Sequence, residues 1–181
     1  MRRILILMLI VAVGLLLMPQ PSQAASEATV TITVLVASLC VSVDKATWDV
    51  GTVQAAGAKV MSAGDKITIT NCGNVAENFS LRVGSSSPGS WPPTGPGENA
   101  YRMLARMTGT SAPAEGDYST SNDLLTSSTQ VADGAKFGAG GNNITASGTA
   151  PLWLRFDAPT SLNPTSQGQQ TITLTVGCQI H

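Results

Sequence analysis

Wherever this chain is strongly patterned, apolar and polar side chains alternate with a period of two. No 3.6-residue apolar stripe appears beyond the first 24 residues. That single regularity restricts the fold to sheets. The alternation predicts strands over residues 28–37, 40–44, 48–53, 66–71, 76–83, 101–107, 152–157 and 170–178, separated by turn residues. Seven or eight short strands of this kind make an antiparallel β-sandwich, immunoglobulin-like or a jelly-roll-like variant of it. Between them, Asn71-Cys72-Gly73-Asn74 reads as a tight turn whose Gly and Asn tolerate positive φ. Residues 84–97, with four prolines and four glycines, read as an irregular surface loop. Residues 109–150 are rich in Gly, Ser, Thr, Asn and Asp, with brief apolar points at Leu124, Leu125, Val131, Phe137 and Ile144, and read as decoration on the scaffold.

The first 24 residues carry the signature of a secretory signal. Arg2 and Arg3 form a basic start, Ile4 to Met18 an apolar stretch, and Ser22-Gln23-Ala24 a small-residue cleavage site. The apolar run is too short, and too soon broken by Pro19-Gln20-Pro21, for a stable membrane span after processing. No cysteine sits at the cleavage site, which argues against a lipid anchor. The expected mature chain of 157 residues suits one domain with a sizeable core, secreted to the extracellular space or cell surface. Without Arg2 and Arg3 it carries 8 basic and 11 acidic residues, net −3, with no basic cluster, so nucleic acid is not an expected partner.

Three cysteines in an exported chain allow one internal disulfide and one leftover. Cys40 shares a strand face with Ser42 and Asp44, and Cys72 is in phase with Thr68 and Thr70. If 40–44 runs antiparallel to 66–72, the two meet at one end on the same face, where a disulfide is sterically reasonable. Cys178 follows Ile172, Leu174 and Val176 on the apolar face of its strand and is expected to be a buried thiol.

The arrangement resembles subunits of the spore coat protein U and Csu-type pilus family, and more broadly secreted fibre subunits that polymerise by donating an N-terminal strand. The matching pieces are the alternating Thr29 to Ala37, Ser38-Leu39-Cys40, the bulky-x-Gly-x-Val element within Trp48 to Val53, the strand Ile67 to Cys72, and the closing strand Thr171 to Val176. The match covers the first third and the last strand; residues 84–150 match nothing in it, and Gly177 to His181 departs from the family's aromatic ending. The resemblance implies an incomplete sandwich whose groove accepts the N-terminal strand of the next subunit. On that reading residues 1–24 are the signal peptide, 25–39 the donor strand and hinge, and 40–181 the sandwich domain. The donor side chains are Val30, Ile32, Val34 and Val36. The acceptor groove is lined by Ile67, Ile69, Phe79, Leu81, Ile172, Leu174 and Val176. The expected partner is a second copy of the chain in a head-to-tail homopolymer, with room for a periplasmic chaperone, and the expected function is a filament or pilus subunit for adhesion or biofilm cohesion.

Elementary physics makes the same segment conspicuous. Val30, Ile32, Val34 and Val36 share one face and must bury it somewhere, while Thr29, Thr31 and Thr33 suit a wetter face. Four such side chains represent on the order of 10 kcal/mol gross on full burial. A joint that each subunit both gives and receives propagates into an open fibre unless the rotation closes a ring. The competing reading docks the strand in its own domain and leaves a monomeric secreted sandwich, which would bind a glycan or surface component through residues 84–97 and 109–150.

Enzyme chemistry has little material. The single histidine is His181, which leaves no Ser-His-Asp triad or multi-histidine metal site. Glu98, Glu115, Asp117, Asp123 and Asp133 lie in or near loops without calcium-loop spacing and read as solvated charges. Gly138-Ala139-Gly140-Gly141 precedes Asn142 and Asn143, so it reads as a loop and not a phosphate cradle. No catalytic residue, cofactor or metal ligand is assigned. Trp91 reads as a packed loop anchor or an exposed stacking residue, Trp48 as core, and Trp153, out of phase with Leu152, Leu154 and Phe156, as a residue facing a partner. Asn78-Phe79-Ser80 and Asn143-Ile144-Thr145 match glycosylation sequons.

Overall fold

The computed structural model describes residues 30–181; the expected signal, residues 1–24, and residues 25–29 of the expected donor strand and hinge lie outside the described residues. The chain divides into two units at Val36, and all of the described strands belong to the second, Val36–His181. They are β1 (Val41–Val43), β2 (Ala58–Val60), β3 (Ile67–Asn71), β4 (Glu77–Val83), β5 (Arg102–Arg106), β6 (Gln130–Val131), β7 (Thr149–Asp157) and β8 (Leu174–Ile180). One sheet runs β1-β3-β7, with β2 and β5 both pairing β7; the other runs β6-β4-β8. Every ladder is antiparallel. The domain is the all-β sandwich that the alternation predicts.

Alternation becomes packing most plainly in β3 and β4. Ile67, Ile69 and Asn71 of β3 are buried while Thr68 and Thr70 are half-buried. In β4, Glu77, Phe79, Leu81 and Val83 face inward. Phe79, Leu81 and Ile69 are fully buried, and with Leu104, Leu152 and Met107 they form the centre of the core.

The described part of the 28–37 segment, residues 30–37, joins no ladder within its own chain. Two other expectations are corrected. Residues 48–53 form no strand: Gly51 has φ +70°, and its N–H donates to Asp49 Oδ1 at 2.9 Å, which breaks the period after two residues. Trp153 faces no partner but is fully buried. Burial in β7 reaches the outer face at Trp153 and Asp157, because residues 109–141 cover part of that side, where Arg155 donates to the Glu115 carbonyl and β7 contacts the turn Ala139–Gly141. Alternation is a poor guide to a strand covered twice.

Residues 109–150 are therefore more than decoration. Leu125, Ala132 and Phe137 are fully buried. Ala105 N–H donates to the Asp123 carbonyl at 2.8 Å and Leu125 N–H to that of Met103 at 2.9 Å, so the excursion lines the outer edge of β5. It then reaches the other sheet, where β6 pairs with β4 and Ala132 N–H donates to the Phe79 carbonyl. One flank of the sandwich is closed in this way. The opposite flank lies between β1 and β8, which are the outermost strands of their sheets.

Trp91 is the packed loop anchor: it is buried, and its N–H donates to Ser86 Oγ at 2.9 Å. Asn78 lies within β4, half-buried, whereas Asn143 is exposed in a loop at φ +54°.

Candidate functional site

The open flank is a groove of about 1030 Å³, lined by residues drawn from both sheets and from the segment 43–53. Its floor is apolar and buried: Ile67 from β3, Leu152, Leu154 and Phe156 from β7, and Met103 from β5. Ile172, Leu174 and Val176 line the β8 side, all half-buried. Val43, Trp48, Val50 and Val53 line the β1 side. Leu162 and Trp91 add to it, and Lys45, Asp49 and Gln170 bring polar groups to its rim. Among the described residues β8 pairs with β4, and its other edge runs beside this apolar trough.

Of the residues singled out from the sequence, Ile67, Ile172, Leu174 and Val176 line this groove. Ile69, Phe79 and Leu81 lie in the core beneath and are fully buried. Sequence reading missed Met103, Leu152, Leu154, Phe156 and Leu162 as lining residues. The first four carry alternation that signals burial but not which cavity, and Leu162 stands in a loop without any signal. Val30, Ile32, Val34 and Val36 are 80, 81, 75 and 76% exposed.

Where the N-terminal segment joins the domain, the backbone is held residue by residue. Ser38 N–H donates to Asn74 Oδ1 at 2.7 Å, and Asn74 Nδ2 donates to the Val36 carbonyl at 2.9 Å. Asn74 N–H donates to the Ser38 carbonyl at 3.1 Å, Cys40 N–H to Glu77 Oε1 at 2.9 Å, and Cys72 N–H to the Cys40 carbonyl at 2.9 Å.

Cys40 and Cys72 form a disulfide, with Cα atoms 4.8 Å apart. The register explains it: β1 pairs Val41 with Asn71, so the next pair outward is Cys40 with Cys72, on one face as strand phase predicts. The bridge closes a loop with a sequence separation of 32, and replacing both cysteines by alanine is expected to lower stability by about 3 kcal/mol, read as a shift of the urea midpoint. An unchanged midpoint would show that the β1–β3 ladder holds without it.

Cys178 is a free thiol, half-buried where full burial was expected. It pairs with Phe79 across the β4–β8 ladder. Burial pushes its pKa up, and the neighbouring Glu77 carboxylate adds to the shift, so the thiolate that would attack a disulfide is disfavoured. Glu77 itself is fully buried, with Oε2 lacking a conventional hydrogen-bond donor.

The loop carboxylates are dispersed. Asp123 is buried at 3.9 Å from Arg106, and Ser119 N–H donates to it at 2.7 Å. Glu115 pairs with Arg155 at 3.0 Å. Backbone N–H groups of Ala135 and Lys136 donate to Asp133 and hold its carboxyl below the usual range. Among the described residues no cluster of His, Cys, Asp or Glu could hold a metal ion, and no helix is long and apolar enough to cross a membrane.

No family model matches the chain, and no curated protein matches it either.

Proposed function

We propose that this protein is a secreted structural subunit of an extracellular filament, assembled by donation of the N-terminal strand to a second copy, for adhesion or cohesion between cells. The observation that carries the reading is complementarity within one chain. The groove presents apolar side chains beside the free edges of β1 and β8, and Val30, Ile32, Val34 and Val36 supply an exposed apolar row of matching period.

A strand entering the groove would gain from both of its properties. Its backbone would find unpaired N–H and C=O groups on β8 and β1, and its apolar face would lie on Ile67, Leu154 and Phe156. Ile172, just before β8, and Leu174 and Val176 within it recur at every second residue, and so do the donor's apolar positions, so one register satisfies several contacts at once. The contact is heterologous, since one patch gives and a different one receives, and it extends into a fibre. The Cys40–Cys72 disulfide suits an oxidising compartment outside the cytosol.

Electron microscopy and sedimentation of the purified mature chain test the reading. The expected result is filaments or a ladder of head-to-tail multimers. A monodisperse monomer with residues 30–36 protected inside its own groove would overturn it.

A further inference from the structure

We infer that Asn74 is a positioning residue for strand donation: by holding the backbone of Val36 and Ser38, it fixes the direction in which the N-terminal segment leaves the domain and favours a second copy over the chain's own groove. The inference rests on the strand-donation reading above and adds a determinant of which groove is filled.

Asn74 makes three hydrogen bonds to this stretch, one from its own backbone and two through its side-chain amide. The amide behaves as a short piece of neighbouring strand, accepting from one residue and donating to the residue two before it. Together with Cys40, the even-numbered residues 36, 38 and 40 are all engaged by groups of the turn that follows β3.

The turn is itself rigid. Asn71 is fully buried; its Nδ2 donates to the carbonyls of Val75 and Ile144, each at 2.8 Å, and its Oδ1 accepts from Gly73 N–H at 2.8 Å. A Cβ on Gly73 would collide with the Ser38 carbonyl and with Glu77 Oε1, so only glycine lets the turn approach so closely. A clamp on such a base can direct the chain it holds.

Direction matters because the room for reversal is short. β1 starts at Val41, directly after the clamped stretch, and borders the groove. For the segment to enter its own groove with Val36 among the docked side chains, the chain has to turn back within residues 36–40, which requires release of Asn74. Donation to another copy leaves the clamp in place.

The test uses the full mature chain, unfolded and refolded at low concentration, with a labelled synthetic peptide of residues 28–37 as the probe of open grooves. Asn74→Ala is expected to raise the ratio of closed, peptide-refractory monomer to peptide-binding subunit about tenfold over the unmodified chain. Its melting temperature should stay unchanged, since Asn74 is exposed. Asn74→Asp keeps the acceptor for Ser38 N–H and loses the donor to Val36, so it should fall between the two. Equal partition in all three chains would overturn the role of Asn74 while leaving strand donation standing. If the unmodified chain neither binds the peptide nor forms multimers, both readings fall together.

Discussion

Replacing Ile32 and Val34 together by aspartate is expected to leave the purified mature chain monomeric at concentrations where the unmodified chain forms multimers. Each of these side chains offers about 1.5–3 kcal/mol on full burial, and aspartate substitutes a charge that would have to enter a trough floored by Ile67, Leu154 and Phe156. The loss of apolar burial alone corresponds to a weakening of at least ~10²-fold, and the unpaired carboxylates extend it beyond ~10³-fold. Both residues are exposed in the subunit, so folding of the domain should be unaffected, and circular dichroism with urea titration would show it. Because the variant loses only its donor, its groove remains competent. Mixed with the unmodified chain, it should be incorporated once per assembly, at the end that presents a free donor strand, which its groove receives. Multimers that persist undiminished in the double variant would rule out donation through this segment.

The second large effect concerns the opposite flank. Phe137→Ala is expected to destabilise the domain by about 3–5 kcal/mol, measured by urea unfolding in the monomeric double-aspartate background to avoid interference from assembly. Phe137 is fully buried, and it holds φ +60°, a backbone region costly for a bulky side chain. It keeps that conformation through fixed partners: Phe137 N–H donates to the Asn122 carbonyl at 3.2 Å, and its own carbonyl accepts from Met107 N–H. Met107 also accepts from Gly140 N–H at 2.7 Å, so loss of the ring loosens the contact between the excursion and β5. A change below about 1 kcal/mol would return residues 109–150 to the status of peripheral decoration.

The contrast between the flanks also explains what could be read from the sequence. β3 and β4 were legible because each buries one face, so that Ile67 and Ile69 or Phe79 and Leu81 stand out at every second position, and β8 because half-buried Leu174 and Val176 alternate with exposed Thr175. The disulfide was legible for the same reason, since phase puts Cys40 and Cys72 on one face. β7 obscured its own pattern by being covered twice, which is why Trp153 looked like an outward residue. β2 and β6, of three and two residues, exist through their partners and not through any propensity of their own. Residues 48–53 had the composition of a strand, but Gly51 and Asp49 together make a turn. The groove was half legible: its β8 wall follows from alternation, whereas Met103, Phe156 and Leu162 meet there only because the sheets bring distant segments together. Asn74 was recognisable as a turn residue, but its grip on Val36 and Ser38 is a long-range contact that no local pattern encodes.

The placement of the disulfide has a mechanical consequence. In a filament joined through the N-terminal segment, tension on one subunit arrives at Cys40, at the start of a strand only three residues long. Without a covalent link that pull would be borne by the hydrogen bonds of Asn74, Glu77 and Cys72 and then by the three β1–β3 register pairs at the sheet edge. The bridge to Cys72 carries the load past β1 to the end of β3, a strand flanked on both sides within its sheet. The domain is thereby anchored against force at the very residue where force would enter.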